Sequence, residues 1–487
     1  MNRRTFLQAS IAGAAAASAQ PEKRMIGIQV GAVSFVDEGV EKVLDVFQQS
    51  ASINTLFVAT FTYGRGIAGR QLRNQPLPDH GKQEYDTATF HGGSYTRIHP
   101  EYYKDTVIQD FRAPEFGDYD VLEAVIPAAR KRDIRTICWF EDVFSGEGLT
   151  IPNIAKAQER TLDGRNSNEL CHNNPNYRNW LLGAVEDYAR SYEIDGIMWG
   201  SERQGAFANM LGSSHGGGGN PASVTCFCDF CESKARDRGI NPDRARAGFR
   251  ALSAFVQGAR QGRRPIDGYH VEAWRLMLRY PEMLAWEQLW HDSLRESYAA
   301  MYHKVKSVKP SIGVGWHIWH NNSFSPLYRA QQDLTELAKY SDFLKMVMYH
   351  NCGGERMAGY IRNVSRTLYG DIPGQELLDF HYHVMNYREK TLAEIPRTGL
   401  SADYVFREAR RAREALNGAK TQLWPGIDID IPTAAASSKS TPEGTRDAVL
   451  AAFRGGADGV ILSRKYSEMK LANLRGAGEA IRQLGLA

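Results

Sequence analysis

The amino-acid sequence predicts an α/β protein in which eight parallel strands close into a (β/α)8 TIM barrel, with long loops after strands two and four. Short apolar runs rich in β-branched residues alternate with amphipathic stretches along the chain. Strands that are buried on both faces and separated by helices are typical of a parallel sheet. In addition, Gly31-Ala32-Val33-Ser34 follows the first strand, where a dinucleotide-binding sheet would carry G-x-G-x-x-G.

Eight strand–helix units close naturally into a barrel, whereas an open doubly wound sheet is the alternative if one strand is miscounted. The helical patterns between the strands show apolar residues at three- and four-residue steps and cover residues 40–49, 119–132, 177–192, 281–308, 327–339, 402–416 and 441–455. The candidate strands cover residues 25–33, 55–60, 134–140, 196–200, 312–318, 343–348, 422–429 and 459–462.

Two connections are much longer than the others. Residues 61–118 follow the second strand, and residues 201–280 follow the fourth. Structureless loops longer than about 15 residues in a compact domain are usually functional. Both connections leave the carboxyl ends of strands, which form the active-site face of such barrels. We therefore expect one catalytic barrel over residues 20–487, with a metal-bearing loop and a helical insertion at about 201–280.

The first nineteen residues have the pattern of an export signal. Arg3-Arg4 precede Phe6-Leu7, an Ala-rich apolar stretch follows, and Ala17-Ser18-Ala19 matches a signal-peptidase site. The arginine pair is typical of a twin-arginine signal, and an ordinary secretory signal is the alternative. The apolar stretch is too short for a stable membrane anchor. The sequence thus predicts a protein that the twin-arginine export machinery delivers to the periplasm or the medium.

The composition excludes several other classes of protein. The chain is 43% hydrophobic and 24% charged, which is typical of a globular protein rather than a disordered one. Lys and Arg total 59 against 56 Asp and Glu, and no long basic run occurs. This balance gives no reason to expect a nucleic-acid partner.

The cysteines suggest a metal site. Cys226, Cys228 and Cys231 form a C-x-C-x-x-C motif, whose closely spaced thiolates suit one tetrahedral zinc ion better than a set of disulfides. Cys171, just before the helical pattern near residue 177, is the candidate fourth ligand. Disulfides or free thiols are the alternative. A closed four-thiolate site has no open coordination position, so we expect a structural zinc and no catalytic cofactor.

Carboxylates stand at the ends of two candidate strands. Glu202 follows the apolar fourth strand, and Asp428 and Asp430 alternate with isoleucines in the seventh. Buried carboxylates are costly unless they are paired, hydrogen-bonded or in a wet site, so acids at a barrel mouth require a reason. A solvated loop glutamate and two acids lining a turn are the corresponding structural alternatives.

Other strand ends are rich in aromatic and hydrogen-bonding groups. Such groups suit sugars, whose C–H faces stack on rings while their hydroxyls form hydrogen bonds. A single tryptophan at such a position is more typical of the core. His317, His320 and His350 could instead gather a catalytic metal, although they form no H-E-x-x-H or H-x-H motif. The candidate substrate-binding residues are Trp139, Glu141, Asp142, Trp199, Arg203, Trp316, His317, Trp319, His320, Tyr349, His350, Asp430, Arg464 and Lys465.

Three motifs in order resemble glycoside hydrolase family 42, the bacterial β-galactosidases, and related uncharacterised glycosyl-hydrolase-like barrels. They are the run Cys171-His172-Asn173-Asn174-Pro175-Asn176-Tyr177-Arg178, the strand that ends in Glu202, and the C-x-C-x-x-C motif. The resemblance covers roughly residues 170–260. It implies that the four cysteines are zinc ligands and that Glu202 is the acid/base. The chain departs from the family at Ser201, where the family has Asn, and at the nucleophile, where the family has Glu and this chain offers Asp428 or Asp430.

The predicted function is therefore cleavage of O-glycosidic bonds in oligo- or polysaccharides. In this interpretation Glu202 is the general acid/base, with its pKa raised by a partly dry pocket, and Asp428 is the nucleophile or second carboxylate. The resemblance implies that the anomeric configuration is retained. The alternatives are a non-catalytic carbohydrate-binding barrel, and a metal-dependent lyase or isomerase that acts on sugars through His317, His350 and Asp428.

Overall fold

The structure is a computed structural model, and it describes residues 24–62, 69–71, 73, 75–85, 92–142, 151–216, 224–431 and 440–487. The predicted signal segment, residues 1–19, lies outside the described residues. Parts of both long connections also lie outside them, at residues 63–68, 86–91 and 217–223.

The predicted (β/α)8 barrel is confirmed. All neighbouring barrel strands pair in parallel, and the sheet runs from the start of the seventh strand through strands six, five, four, three, two, one and eight to the end of the seventh. Because the two ends of this series belong to one strand position, the sheet closes on itself. The strands are Met25–Val30, Thr55–Ala59, Arg135–Glu141, Gly196–Gly200, Gly313–Ile318, Phe343–Met346, the pair Gln422–Leu423 and Gly426–Asp428, and Gly459–Ser463.

The seventh strand is interrupted at Pro425, although the sequence predicts one run over residues 422–429. Gln422–Leu423 pairs with the sixth strand, and Gly426–Asp428 pairs with the eighth. Pro425 has no N–H group to donate, so the regular hydrogen-bond ladder cannot continue through it. A single bridge between Val347 and Gly426 connects the second segment back to the sixth strand.

Helices surround the barrel, and several begin with an Asn or Thr cap followed by proline. The Asn174 side chain accepts the N–H of Asn176, and Asn241 and Thr441 cap the helices that begin at the prolines following them. No helix in the described ranges is long and apolar enough to span a membrane. The helices are Ala32–Glu38, Val40–Ala51, Val121–Arg130, Pro175–Ser191, Ala206–Leu211, Asp229–Asp237, Pro242–Arg260, Tyr269–Arg279, Glu282–Val308, Pro326–Gln331, Leu334–Ala338, Gly353–Val364, Gly374–Met385, Ile395–Thr398, Ala402–Ala415, Pro442–Arg454 and Leu471–Gln483.

The two long connections pack differently. After the second strand, residues 92–120 lie against the helix Pro175–Ser191, where Nδ1 of His99 is 2.7 Å from Oδ1 of Asp187. After the fourth strand, four helices and the first turns of the helix Glu282–Val308 build an apolar cluster of their own, which includes Phe249, Trp286 and all four cysteines of the predicted metal site. The second connection therefore adds a small separate core beside the barrel.

The fifth strand offers a matched test of barrel packing. A Cβ atom at Gly315 would overlap the Phe343 ring and lie 2.5 Å from the Phe343 carbonyl oxygen, whereas one at Gly313 would meet nothing closer than 3.6 Å. We expect Gly315→Ala to lower the free energy of unfolding by about 1–3 kcal/mol, the usual cost of overpacking. Gly313→Ala should change it much less. Urea unfolding of both variants measures the difference, and equal losses would contradict this packing.

Candidate active site

Two glutamates and a histidine converge at the carboxyl ends of strands three, four and five. Nε2 of His317 is 3.0 Å from Oε1 of Glu202, and its Nδ1 is 3.6 Å from Oε1 of Glu141. One carboxylate oxygen from each glutamate and one ring nitrogen all lie within 4.8 Å of one another. The structure therefore brings together three residues that the sequence assigned to this mouth, and it makes Glu141 the carboxylate nearest to Glu202.

The local sequence explains why these side chains meet. The strand register places Glu141 opposite Gly200 and Gly200 opposite His317. A Cβ atom at Gly200 would lie 2.5 Å from Cβ of His317, so the glycine leaves the space that the histidine occupies. Trp139, two residues before Glu141 and thus on the same face of the strand, donates its Nε1–H to Oε1 of Glu141 at 2.8 Å.

The two glutamates differ in their electrostatic surroundings. Burial raises the pKa of Glu141. Burial alone would also raise the pKa of Glu202, but the hydrogen bond and charge of His317, together with the charge of Arg356, outweigh it and bring that pKa to about 2. The predicted raised pKa of Glu202 is therefore wrong, because nothing in the sequence indicates that His317 lies within hydrogen-bond distance of Glu202. Glu202 is the ionised member of the pair, and Glu141 is the one that favours its proton.

Lys345 lies inside the barrel on the sixth strand, and it is fully buried. Its Nζ is 2.7 Å from Oε1 of Gln29 and 3.3 Å from the Tyr349 hydroxyl. Gly426 makes room for it, since a Cβ there would lie 2.9 Å from Cε of Lys345. Burial lowers the pKa of Lys345 to about 8. Lys345 is not among the predicted site residues, although a lysine within the apolar run 343–348 was a visible signal.

Arg356 lies in the first turn of the helix Gly353–Val364 and is half-buried. Its Nη1 is 3.0 Å from Nδ1 of His320, and its guanidinium carbon is 5.7 Å from the ring centroid of Tyr349. Burial, followed by the charge of Arg356, holds the pKa of His320 well below its usual value, so this histidine is a neutral acceptor. Nε2 of His320 is 3.1 Å from the Tyr404 hydroxyl, which fixes the ring from the other side.

Asp428 does not pair with Glu202 as the predicted second carboxylate. It is completely buried, and its two oxygens accept the backbone N–H groups of Asn351 and Cys352 at 3.1 and 2.8 Å. Nδ1 of His350 lies 2.8 Å from Oδ1. These groups overcome the cost of burial and lower the pKa of Asp428. Asp428 and His350 therefore anchor the loop after strand six, at the start of the helix that carries Arg356.

Arg203 and Asp142 form an internal ion network rather than a ligand-facing surface, which corrects their predicted role. Nη2 of Arg203 is 2.7 Å from Oδ2 of Asp142, and its other nitrogens are 3.3 Å from Glu159 and 3.5 Å from Glu169. Asp142 is fully buried. Buried charges require partners of opposite charge, and here the guanidinium and the three carboxylates provide them for one another.

The tryptophans predicted to bind substrate divide into three groups. Trp199 and Trp316 are fully buried behind the strands, where their rings pack against Tyr298 of the helix Glu282–Val308, so their predicted role is wrong. Trp139 lies in the barrel interior and touches Glu141. Trp319 is 8% exposed, and its ring centroid is 5.2 Å from that of His215. The alternation of side chains along a strand shows that neighbouring residues face opposite sides of the sheet. It does not show which of the two sides is the barrel interior.

The remaining predicted contacts lie at the rim of the eighth strand and the loop after strand seven. Asp430 accepts the N–H of Lys470 at 2.7 Å and caps the start of the last helix. The Arg464 guanidinium pairs with the Glu468 carboxylate, and Nζ of Lys465 donates to the Gly69 carbonyl at 2.7 Å. These three side chains are engaged within the protein, in contrast to their predicted role as ligand contacts.

The four cysteines converge in a buried cluster. Sγ of Cys171 is 3.6 Å from Sγ of Cys228 and 3.5 Å from Sγ of Cys231, and all four sulfurs lie within 4.8 Å of one another. A tetrahedral zinc with Zn–S bonds of about 2.3 Å requires sulfurs roughly 3.8 Å apart. The Cys226 sulfur accepts the N–H of Arg160 at 3.4 Å. The donor set and its spacing fit one zinc ion and no open coordination position.

No protein-family model matches this chain, and no curated protein matches it. Among solved structures it is similar to an alpha-L-fucosidase isoenzyme 2 from Paenibacillus thiaminolyticus, with a TM-score of 0.51 and 13% identity over 95% of this chain and 49% of that one. It is also similar to a beta-galactosidase from the haloarchaeon Halorubrum lacusprofundi, with a TM-score of 0.50 and 15% identity over 94% of this chain and 57% of that one. The chain thus spans about half the length of these proteins. At such identities the similarity establishes the barrel fold.

Replacing Asp428 tests its structural role. Asp428→Asn puts an amide NH2 where an N–H donor now points, so we expect a loss of about 1–3 kcal/mol in the free energy of unfolding at pH 7. Because the native pKa is lowered, the carboxylate's contribution is present above its unfolded pKa of about 3.9 and is lost as the pH falls through the native value. The stability difference should therefore shrink at pH 3. Urea unfolding at both pH values measures it, with the exposed Asp243→Asn as control. A difference that is absent at pH 7 would contradict this role.

Proposed function

We propose that this protein is a glycoside hydrolase that cleaves O-glycosidic bonds of oligo- or polysaccharides. One observation carries the proposal: Glu141 and Glu202 lie side by side at the barrel mouth, and their environments move their pKa values in opposite directions. Pairs of carboxyl groups perturbed in this way divide the acid and base roles of glycoside cleavage. The TIM-barrel fold, which is shared with a fucosidase and a beta-galactosidase, supports the same reaction class.

In the proposed mechanism the roles follow from protonation. Glu141 donates its proton to the leaving oxygen as the C–O bond breaks. The Glu202 carboxylate attacks the anomeric carbon and forms a glycosyl ester. Water then attacks that carbon, gives its proton to Glu141, and releases Glu202 as a carboxylate. Oxygens within 4.8 Å of each other support this double displacement, since retaining enzymes hold their carboxyl groups about 5–5.5 Å apart.

The second candidate is a metal-dependent lyase or isomerase that acts on sugars. The same three donors, Glu141, Glu202 and His317, lie close enough to hold a divalent cation. However, the cationic side chains of Lys345 and Arg356 face this site. The charges of Glu141 and Glu202 act on Lys345, and the charge of Arg356 acts on Glu202. Because Lys345 and Arg356 repel a metal ion, we favour the hydrolase.

The decisive test is a pair of isosteric variants assayed on a panel of aryl and natural glycosides. Glu141→Gln should lower kcat by about 100- to 10,000-fold on natural leaving groups, the usual contribution of a general acid, and much less on activated aryl leaving groups. Glu202→Gln should be severe for every leaving group, because the nucleophile is then gone. The wild-type rate should fall as the pH rises through the raised pKa of Glu141, and this limb should disappear in Glu141→Gln.

Three other results would each contradict the proposal. Exchanged leaving-group patterns would mean that the two roles are reversed. Activity that disappears in a chelator and returns with a divalent cation, while the circular dichroism spectrum is unchanged, would favour the metal-dependent candidate. Sugar binding without turnover on any glycoside would favour a carbohydrate-binding barrel.

A structural zinc bound by Cys171, Cys226, Cys228 and Cys231 accompanies this proposal. Cys171 belongs to the segment after strand three, and the other ligands belong to the connection after strand four, so one ion would join two neighbouring loops. A closed four-thiolate site stabilises the fold and takes no part in the reaction.

Metal analysis and one substitution test the zinc. We expect about one zinc ion per chain, and Cys228→Ser should lower the free energy of unfolding by several kcal/mol, because structural zinc binding is worth about 10–16 kcal/mol. Cys138→Ala, at a buried cysteine outside the cluster, is the control that should keep the zinc. Purified protein without zinc, or with any of the four cysteines in a disulfide, would contradict the site.

Export is part of the same proposal. The Arg3-Arg4 pair and the small-residue site at 17–19 support delivery to the periplasm or the medium by the twin-arginine machinery. That machinery carries folded proteins, so the thiolates would take up zinc before they reach an oxidising compartment.

A further inference from the structure

We infer that the barrel mouth selects sugars that carry an acidic substituent, and that Arg356 is the specificity-determining residue that binds the anionic group. The sugar part of this inference rests on the proposed glycosidase function. The anion part rests on the arrangement of charged side chains around the Glu141–Glu202 pair. The shared ligand chemistry is an anionic oxygen group on a pyranose ring, either the carboxylate of a uronic acid or a sulfate ester.

Arg356 differs from the other buried or half-buried arginines near the strand ends. Arg203 pairs with Asp142, Arg329 with Glu408 and Arg464 with Glu468. Among the described residues no carboxylate lies within ion-pair distance of Arg356, and its guanidinium bonds to the neutral imidazole of His320. A guanidinium has five N–H donors in a planar fork that matches a carboxylate or a sulfate. Arg356 therefore keeps donor capacity for an anion from outside the chain.

The position of Arg356 ties this capacity to the candidate site. The guanidinium carbon of Arg356 and the Nζ of Lys345 each lie 5.7 Å from the ring centroid of Tyr349. Nζ of Lys345 also lies 5.8 Å from the ring of Trp139, which donates to Glu141. The charge of Arg356 acts directly on Glu202. One continuous row of side chains thus connects Arg356 to the two carboxylates.

The charge balance at the mouth favours an anion. Lys345 likewise has no carboxylate within ion-pair distance among the described residues, and it bonds instead to the neutral Gln29 and Tyr349. When Glu141 holds its proton, as the proposed reaction requires, Glu202 is the one carboxylate in the described part of the chain whose charge acts on both Lys345 and Arg356. His215 and His320 add none, because burial lowers the pKa of His215 to about 3 and that of His320 well below its usual value. The excess positive charge would be balanced by an acidic group on the sugar.

The experiment measures binding of monosaccharides to the wild-type protein by titration calorimetry, so it needs no turnover. The matched pairs are galacturonic acid with galactose and glucuronic acid with glucose, and galactose 6-sulfate separates sulfate from carboxylate recognition. We expect the Kd of an acidic sugar to be at least about 10-fold lower than that of its neutral partner, as a charge-assisted hydrogen bond provides. If only the uronic acids bind more tightly than their neutral partners, the anion is a carboxylate. If only galactose 6-sulfate does, the anion is a sulfate.

Two variants assign the preference to Arg356. Arg356→Gln should abolish it, with the Kd of the acidic sugar rising about 10- to 100-fold and that of the neutral sugar little changed. Arg356→Lys should keep part of the preference, because the charge remains without the planar fork. Arg362→Gln removes an exposed arginine from the last turn of the same helix and should leave the preference intact. Thermal unfolding verifies that the variants are folded.

The inference is overturned if neutral sugars bind as tightly as acidic ones, if no sugar binds, or if Arg356→Gln keeps the preference. It can fail independently of the proposed function, since turnover of neutral glycosides alone would preserve the hydrolase and remove the anion specificity. Conversely, an Arg356-dependent preference in a protein that cleaves no glycoside would preserve this site and remove the hydrolase.

Discussion

The cost of burying charge inside a closed barrel governs the arrangement of this protein's mouth. A carboxylate or ammonium removed from water must find partners, or it changes its protonation state. His317 provides this partnership for Glu202, and Gln29 and Tyr349 provide it for Lys345. The glycines at 200 and 426 supply the space that these side chains need. Packing and electrostatics at the mouth therefore depend on each other, because Lys345 and His317, the partner of Glu202, both occupy space that a glycine leaves.

The barrel could be predicted from the sequence because its signal is local. A strand buried on both faces is a short apolar run wherever it occurs, and all eight runs are strands of the closed sheet. The break at Pro425 was also visible in the sequence, since proline removes a donor from the ladder, but its effect depends on which neighbours require that donor. The convergence of the four cysteines could also be predicted from local sequence, because three of them lie within six residues and the fourth precedes a helix that borders the barrel.

The candidate site was harder to predict, because its residues are defined by partners distant in sequence. Glu141 and Asp142 are consecutive, yet one lies against His317 and the other pairs with Arg203. The alternation along strand seven indicates that Asp428 points inward. Its hydrogen-bond donors, however, include backbone N–H groups of a loop that no sequence motif identifies. Lys345 and Arg356 stand out because no carboxylate of the described residues lies within ion-pair distance of them, which the sequence does not show. A sequence shows which groups are charged, whereas only the folded structure shows which opposite charges lie beside them.

The interruption of the seventh strand makes one part of the barrel wall less regular than the rest. Five to seven residues form most of the other strands, but this position holds segments of two and three residues, and a single bridge between Val347 and Gly426 joins the second segment to the sixth strand. This break in the regular ladder is a seam in the barrel wall, and backbone amides at such a break exchange with solvent through local fluctuations more readily than those of continuous strands. The seam borders Lys345 through Gly426 and contains Asp428. A local opening at this seam would therefore move the surroundings of Lys345 and Asp428, while strands three to five would keep Glu141, Glu202 and His317 in register.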